Sequence, residues 1–187
     1  MSRIPTPATV ADAPEASQPL LEAVNKALGT VPNLHRLVAT SPAALEGYLA
    51  MNGALAKGKL PAQTRERIAL AVAELNGCDY CLSAHTYLGK NLAKLDDAEV
   101  TANRSGASND PKADAAVRFA VQLVKARGHV GGADVEAVRA AGYTDAQLLE
   151  IVQHVALNTW TNYVNSAFTT EIDFPVVTAR PAASIAA

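Results

Sequence analysis

Leu75-Asn76-Gly77-Cys78-Asp79-Tyr80-Cys81-Leu82-Ser83-Ala84-His85 is the stretch on which the reading of this chain turns. It holds the only two cysteines of the 187 residues, three positions apart, with a histidine four positions beyond the second. Upstream, Pro61 opens a helical run to Leu75, which Asn76-Gly77 breaks. Downstream, helical periodicity resumes from Cys78 to about Leu95. The stretch therefore reads as the corner of two antiparallel helices, with both thiols on the second. At roughly 100° per residue, Cys78, Cys81 and His85 fall within an arc of about 60° on one face. Leu82, Leu88, Leu92 and Leu95 are expected on that side, and Asp79, Ser83, Lys90 and Lys94 on the other. Cys78 begins its helix, where unpaired N–H groups and the positive dipole end favour a thiolate.

Helical signals continue in both directions. Aromatic residues are 5 % of the chain, alanine is abundant, and alternating β-branched runs are scarce, so the fold class is all-α, a helical bundle. Further helices are expected from Leu20 to Leu28, near His35 to Ala39, and from Pro42 to about Lys57 with Ser41 as N-cap. Beyond the corner they follow from Asp97 to Asn103, from the Asp110-Pro111 start to Gly128, and from Asp134 to Ala141. A last long helix opens on the capping box Thr144-Asp145-Ala146-Gln147 and runs to about Phe168. Residues 1–18, with Pro5, Pro7 and Pro14, read as an extended arm. Residues 19–174 read as one helical domain with the Cys-x-x-Cys core at about 42–95, and residues 175–187 as an extended tail. No linker or fixed repeat divides the chain.

Composition narrows the function. Apolar residues are 49 % and charged residues 18 %, as in a globular domain, and the net charge is −2 with no basic block. Nucleic acid and anionic membranes are therefore poor partners. No apolar run approaches the roughly 18 residues that span a bilayer. The first residues lack a hydrophobic leader core, so a cytoplasmic setting is expected, where thiols stay reduced and a disulfide is transient or catalytic. A bridge between residues this close would close almost no loop and stabilise little.

The preceding helix adds an acid. Gln63, Arg67 and Glu74 form one polar strip, whereas Glu66 lies beside Ala69, Leu70 and Ala73. A carboxylate among small apolar residues is expected to be partly desolvated and suited to proton transfer. Glu66, then Cys78-x-x-Cys81, then His85 resembles the signature of the alkylhydroperoxidase D-like proteins of the carboxymuconolactone decarboxylase superfamily. The resemblance spans about Pro42 to Leu95. It implies that Cys81 attacks peroxide, that Cys78 resolves and exchanges with the reductant, and that Glu66 and His85 relay protons. It further implies a hydroperoxide substrate, a dithiol reductant (a lipoyl- or thioredoxin-like protein) and a homo-oligomer such as a trimer or hexamer. No prosthetic group is needed, because sulfur carries both electrons. Tyr80 stands where well-known members carry a second histidine.

Other readings stay open at this point. The dithiol suits a disulfide reductase or redox sensor that turns peroxide over slowly, and the cysteines of a non-catalytic interaction protein would simply pack. Zinc on Cys78, Cys81 and His85 would need Glu66 or His154 as a fourth ligand, and one and a half turns of a single helix close a tetrahedron poorly. Tyr80 and Tyr87 read as packing or interface residues, and Trp160 and Phe168 as core or interface anchors. Glu150, His154, Asn158, Thr161 and Asn165 form a polar stripe on the last helix, read as hydrated or subunit-facing in preference to a pocket wall.

Overall fold

A computed structural model describes residues 2–181. Among them are nine α-helices and no strand, so the chain is all-α as the periodicity requires. The helices are α1 Gln18–Leu28, α2 Asn33–Val38, α3 Pro42–Ala56, α4 Ala62–Leu75, α5 Asp79–Asn91, α6 Asp97–Arg104, α7 Pro111–Lys125, α8 Gly132–Ala140 and α9 Asp145–Phe168. The N-caps Ser41, Asp110 and Thr144 sit where the sequence places them, and Asp96 adds a further one. Ser41, Asp96, Asp110 and Thr144 each accept a backbone N–H of the first turn, and Thr144 with Gln147 closes a full capping box.

Helix α4 is the axis of the bundle and packs against α5, α6, α7 and α9. From Ile68 to Glu74 every residue is buried, as expected of a helix surrounded by others. This corrects the polar strip read from Gln63 to Glu74, because Glu74 is 0 % exposed. Its carboxylate binds Arg104 Nε at 2.5 Å and accepts the Arg180 N–H at 2.8 Å. A buried charge persists only when paired and hydrogen-bonded, and both conditions hold here. Two apolar clusters flank the axis. One gathers Leu21, Leu37, Leu45, Leu70, Tyr80 and Leu82, and the other Ile68, Val72, Phe119, Val138 and Ile151.

The corner between α4 and α5 is a Schellman turn. Gly77 takes φ +65°, Gly77 N–H bonds Glu74 O, and Cys78 N–H bonds Ala73 O at 3.0 Å. Cys78 thus closes α4, and it is also the N-cap of α5, with its sulfur accepting the Cys81 N–H at 3.4 Å. Helix α5 ends at Asn91, before the expected Leu95, because Lys94 turns left-handed (φ +58°) and Leu95 folds back to bond Gly89 O. Leu95 lies so close over Gly89 that a Cβ there would sit 3.3 Å from its side chain. Leu92 consequently faces outward, 71 % exposed, and leaves the thiol side.

Both chain ends strap the bundle. Arg3 bonds the carbonyls of Ala167 and Phe168, which end α9. The segment after α9 returns over the outer face of α5, where Val177 N–H bonds Ser83 Oγ (2.9 Å) and Ala179 N–H bonds Asp79 Oδ1 (2.8 Å). The face expected to be solvated around Asp79 and Ser83 is therefore covered, and Ser83 is fully buried. Phe174 meets Tyr80 edge-on at 5.9 Å and leans on Tyr87. The Tyr80 hydroxyl accepts the Leu34 N–H, so this residue packs and ties α5 to α2. The tail beyond Pro181 lies outside the described residues.

Candidate functional site

Cys78 and Cys81 are both free and buried, 2 % and 3 % exposed. The cap geometry holds the first sulfur against the start of the second cysteine's own turn, so the two thiols face one another within the packed interior. Asn165 of α9 donates its Nδ2–H to Cys81 Sγ at 3.2 Å. Asn162 and Thr161 stand beside the same sulfur.

These surroundings divide the pair. The Cys78 S–H directed at Cys81 outweighs the cost of burial and, with the α9 donors, holds Cys81 below the ordinary thiol range. The same hydrogen bond, then burial and the charge on Cys81, push Cys78 well above it, despite help from the Cys81 N–H and Ser166. The expectation of a thiolate at Cys78 from the helix dipole is thereby corrected. One negative charge fits between two sulfurs this close, and the donors on α9 decide which sulfur carries it.

On the α4 side, Glu66 Oε2 meets His85 Nδ1 at 2.8 Å, with the side chains 21 % and 23 % exposed. The two elements that form the corner thus bring the predicted acid and imidazole into contact. Burial lowers His85, but the charge and hydrogen bond of Glu66, with a smaller push from Cys78, raise it above the usual imidazole value. His154 of α9 is buried close to this pair. Burial and Arg65, opposed by Glu150 and Glu66, lower it to about 4, so it is neutral at pH 7. Its Nε2 has no hydrogen-bond partner among the described residues.

The stripe on α9 accordingly faces the interior, beside the thiols and the Glu66–His85 pair. His154, Asn158, Thr161 and Asn165 are 3–6 % exposed, which excludes a hydrated surface. Asn162 belongs to the same buried face, and Ser166, exposed near the end of α9, reaches toward Cys78; both escaped the sequence reading. The available signal was the density of amides and hydroxyls on one helix, without a carboxylate in its inner half. Tyr48 of α3 was also missed. Burial and the charge on Cys81 raise its hydroxyl, and its ring stacks on Trp160 and tilts against His35, both at 5.4 Å. His35 is buried in α2 and lowered to about 4 by burial. No group of three or more His, Cys, Asp or Glu able to hold a metal ion occurs among the described residues.

Two buried free thiols one turn apart, beside a bonded carboxylate and imidazole in a helical bundle, define a Cys-x-x-Cys dithiol protein. The comparisons with known proteins agree. The model of the carboxymuconolactone decarboxylase family matches residues 42–122. An uncharacterized peroxidase-related protein with an alkylhydroperoxidase AhpD core, from Ralstonia eutropha JMP134, superposes with TM-score 0.82 at 26 % identity over 92 % of each chain. A peroxidase-related protein from Silicibacter sp. TM1040 does so at 0.77 and 28 %, over 90 % of this chain and 92 % of its own. The debrominase Bmp8 shares the fold at 0.76 and 20 %, over 91 % and 92 %. No curated protein matches the sequence. Residues 42–122 thus match the carboxymuconolactone decarboxylase family, and the fold over the described residues is similar to that of AhpD-like, peroxidase-related proteins.

Proposed function

We propose that the protein is a thiol-dependent peroxidase of the alkylhydroperoxidase type. The observation that carries this reading is the placement of two free, buried thiols one turn apart, with Asn165 donating to Cys81 Sγ and Glu66 bonded to His85 close by. The Cys81 thiolate attacks the distal oxygen of a hydroperoxide. An S–O bond forms as the O–O bond breaks, giving Cys81 sulfenic acid and an alkoxide that takes a proton through His85 and Glu66. The Cys78 thiol then displaces the sulfenic oxygen, releasing water and leaving a Cys78–Cys81 disulfide. A dithiol reductant, of lipoyl or thioredoxin type, reduces that bond and is itself oxidised to a disulfide. Rapid mixing of the reduced protein with hydrogen peroxide tests the proposal. Oxidation of Cys81 no faster than that of a free cysteine would reject it.

Burial of both sulfurs favours one second reading, a redox sensor with slow turnover. Continuous peroxide consumption with dihydrolipoamide separates the two, since a sensor oxidises once and stalls. Bmp8, also solved as a cysteine-to-alanine variant with 2,3,4-tribromopyrrole, shows that this fold serves another reaction, and a brominated pyrrole belongs in the same assay. A homo-oligomer is supported by the apolar outer side of α9, where Leu149 and Tyr163 are 72 % and 63 % exposed. A sedimentation mass equal to one chain would reject it. No helix among the described residues is long and apolar enough to cross a membrane.

A further inference from the structure

Asn162 and Asn165 project from one face of α9 toward Cys81, and each leaves one polar atom without a partner. Asn165 uses its Nδ2–H on Cys81 Sγ, and its Oδ1 has no donor among the described residues. Asn162 uses its Oδ1 on Asn76 Nδ2 at 2.9 Å, and its Nδ2 faces Cys81 Sγ without completing a hydrogen bond to it or to any other described residue. Asn162 thus turns its Oδ1 toward Asn76, and Asn165 turns its Nδ2 toward Cys81. Both side chains are buried, 0 % and 3 % exposed. Buried polar atoms are nearly always satisfied, so an unpartnered donor and acceptor flanking a nucleophilic sulfur call for a ligand with the opposite pattern.

We infer that Asn162 and Asn165 are catalytic residues forming a cradle for the hydroperoxide group itself. The hydroperoxide O–H donates to Asn165 Oδ1, and its distal oxygen accepts from Asn162 Nδ2. That places the distal oxygen next to Cys81 Sγ, which Asn165 Nδ2 already holds. When the S–O bond forms, the O–H proton stays on the oxygen that becomes the sulfenic acid, and Asn165 Oδ1 keeps its donor. The alkoxide leaves toward the proton supply. A disulfide has no O–H to offer and leaves Asn165 Oδ1 unpaired, so the cradle selects hydroperoxides over disulfides. Deep burial of Cys81 limits the substrate class to compact hydroperoxides.

This inference rests on the peroxidase reading, and one experiment separates their failures. The reduced protein and an Asn162→Leu variant are mixed with hydrogen peroxide and with tert-butyl hydroperoxide. Thiolate content is followed by ultraviolet absorbance against pH, and rates are compared where Cys81 is fully ionised in both. The variant is expected to react roughly tenfold more slowly at equal thiolate content, the loss of one buried hydrogen bond. An Asn76→Ala variant breaks the structural partner of Asn162 but keeps its donor, and should stay within about threefold of the parent. Equal rates for parent and Asn162→Leu overturn the cradle and leave the peroxidase reading standing. Equal losses in both variants also overturn it, since packing alone would then explain them. A parent that reacts no faster than free cysteine overturns both.

Discussion

Replacing Glu66 by Gln removes one charge and keeps the size and hydrogen-bonding reach of the side chain. The contact to His85 is 2.8 Å, with each partner about one-fifth exposed. Unit charges at that distance attract by about 1.5 kcal/mol in water and about 6 kcal/mol at an effective dielectric of about 20. A partly exposed pair takes an intermediate value, about 3 kcal/mol. If roughly half of this bears on proton transfer in the transition state, the rate of Cys81 oxidation falls about tenfold. The pH dependence has a definite sign. Glu66 raises His85, so the imidazolium persists to higher pH, and the stability it contributes is complete below about 6.5 and lost as pH rises through the raised value. In the variant burial acts with little opposition, and proton supply should fail at lower pH. Rapid-mixing rates between pH 5 and 9, with circular dichroism to establish folding, measure this. A folded variant with the parental rate at pH 7 and the parental pH profile would refute the relay.

The remaining predictions concern the sulfurs and the frame that holds them. Cys81→Ser should abolish peroxide consumption, whereas Cys78→Ser should stop at a sulfenic acid on Cys81 that dimedone traps and mass spectrometry detects. Trapping on Cys78 in the Cys81 variant at the parental rate would reverse the assignment. Asn165→Leu removes the donor at 3.2 Å from Cys81, so its thiolate absorbance should appear only at higher pH, and an unmoved titration would contradict the account of its acidity. Glu99 is lowered to about 2, because bonds from Ser108, Asn103, the Asn109 N–H and Arg67 overcome the effect of burial. That depressed value stabilises the fold by about 3 kcal/mol above pH 4.5, and the contribution is lost as pH falls through 2. Glu99→Gln should therefore cost about 3 kcal/mol in urea unfolding at pH 7 and much less at pH 3, and equal costs at both would count against it.

Much of this organisation was readable from local rules. Asn76-Gly77 marks the corner because glycine alone enters the left-handed turn without strain, and the caps Ser41, Asp110 and Thr144 satisfy N–H groups within their own first turns. The Cys-x-x-Cys spacing and the position of Glu66 one helix earlier are equally local. Glu74 was misread because helical phase reveals which residues share a face but not whether another helix covers it, and the cover comes from Arg104 and Arg180, both distant in sequence. Ser83 fails for the same reason, since residues near Val177 return across it. Polar residues on α9 looked solvated because hydrogen-bond partners eighty positions away leave no periodic trace.

The dipole argument failed at Cys78 for a more instructive reason. A helix N-terminus does stabilise an anion, and the Cys81 N–H does point at Cys78 Sγ. Yet both thiols lie within the same first turn, so the dipole offers each of them a similar advantage and discriminates weakly. Discrimination needs something that touches one sulfur alone. Asn165 does so from α9, at a contact only tertiary packing creates. The order of attack and resolution is thus a property of the α5–α9 interface, and the sequence of α5 by itself leaves it undetermined. Moving an amide on α9 so that it donates to Cys78 should exchange the two roles without altering either cysteine.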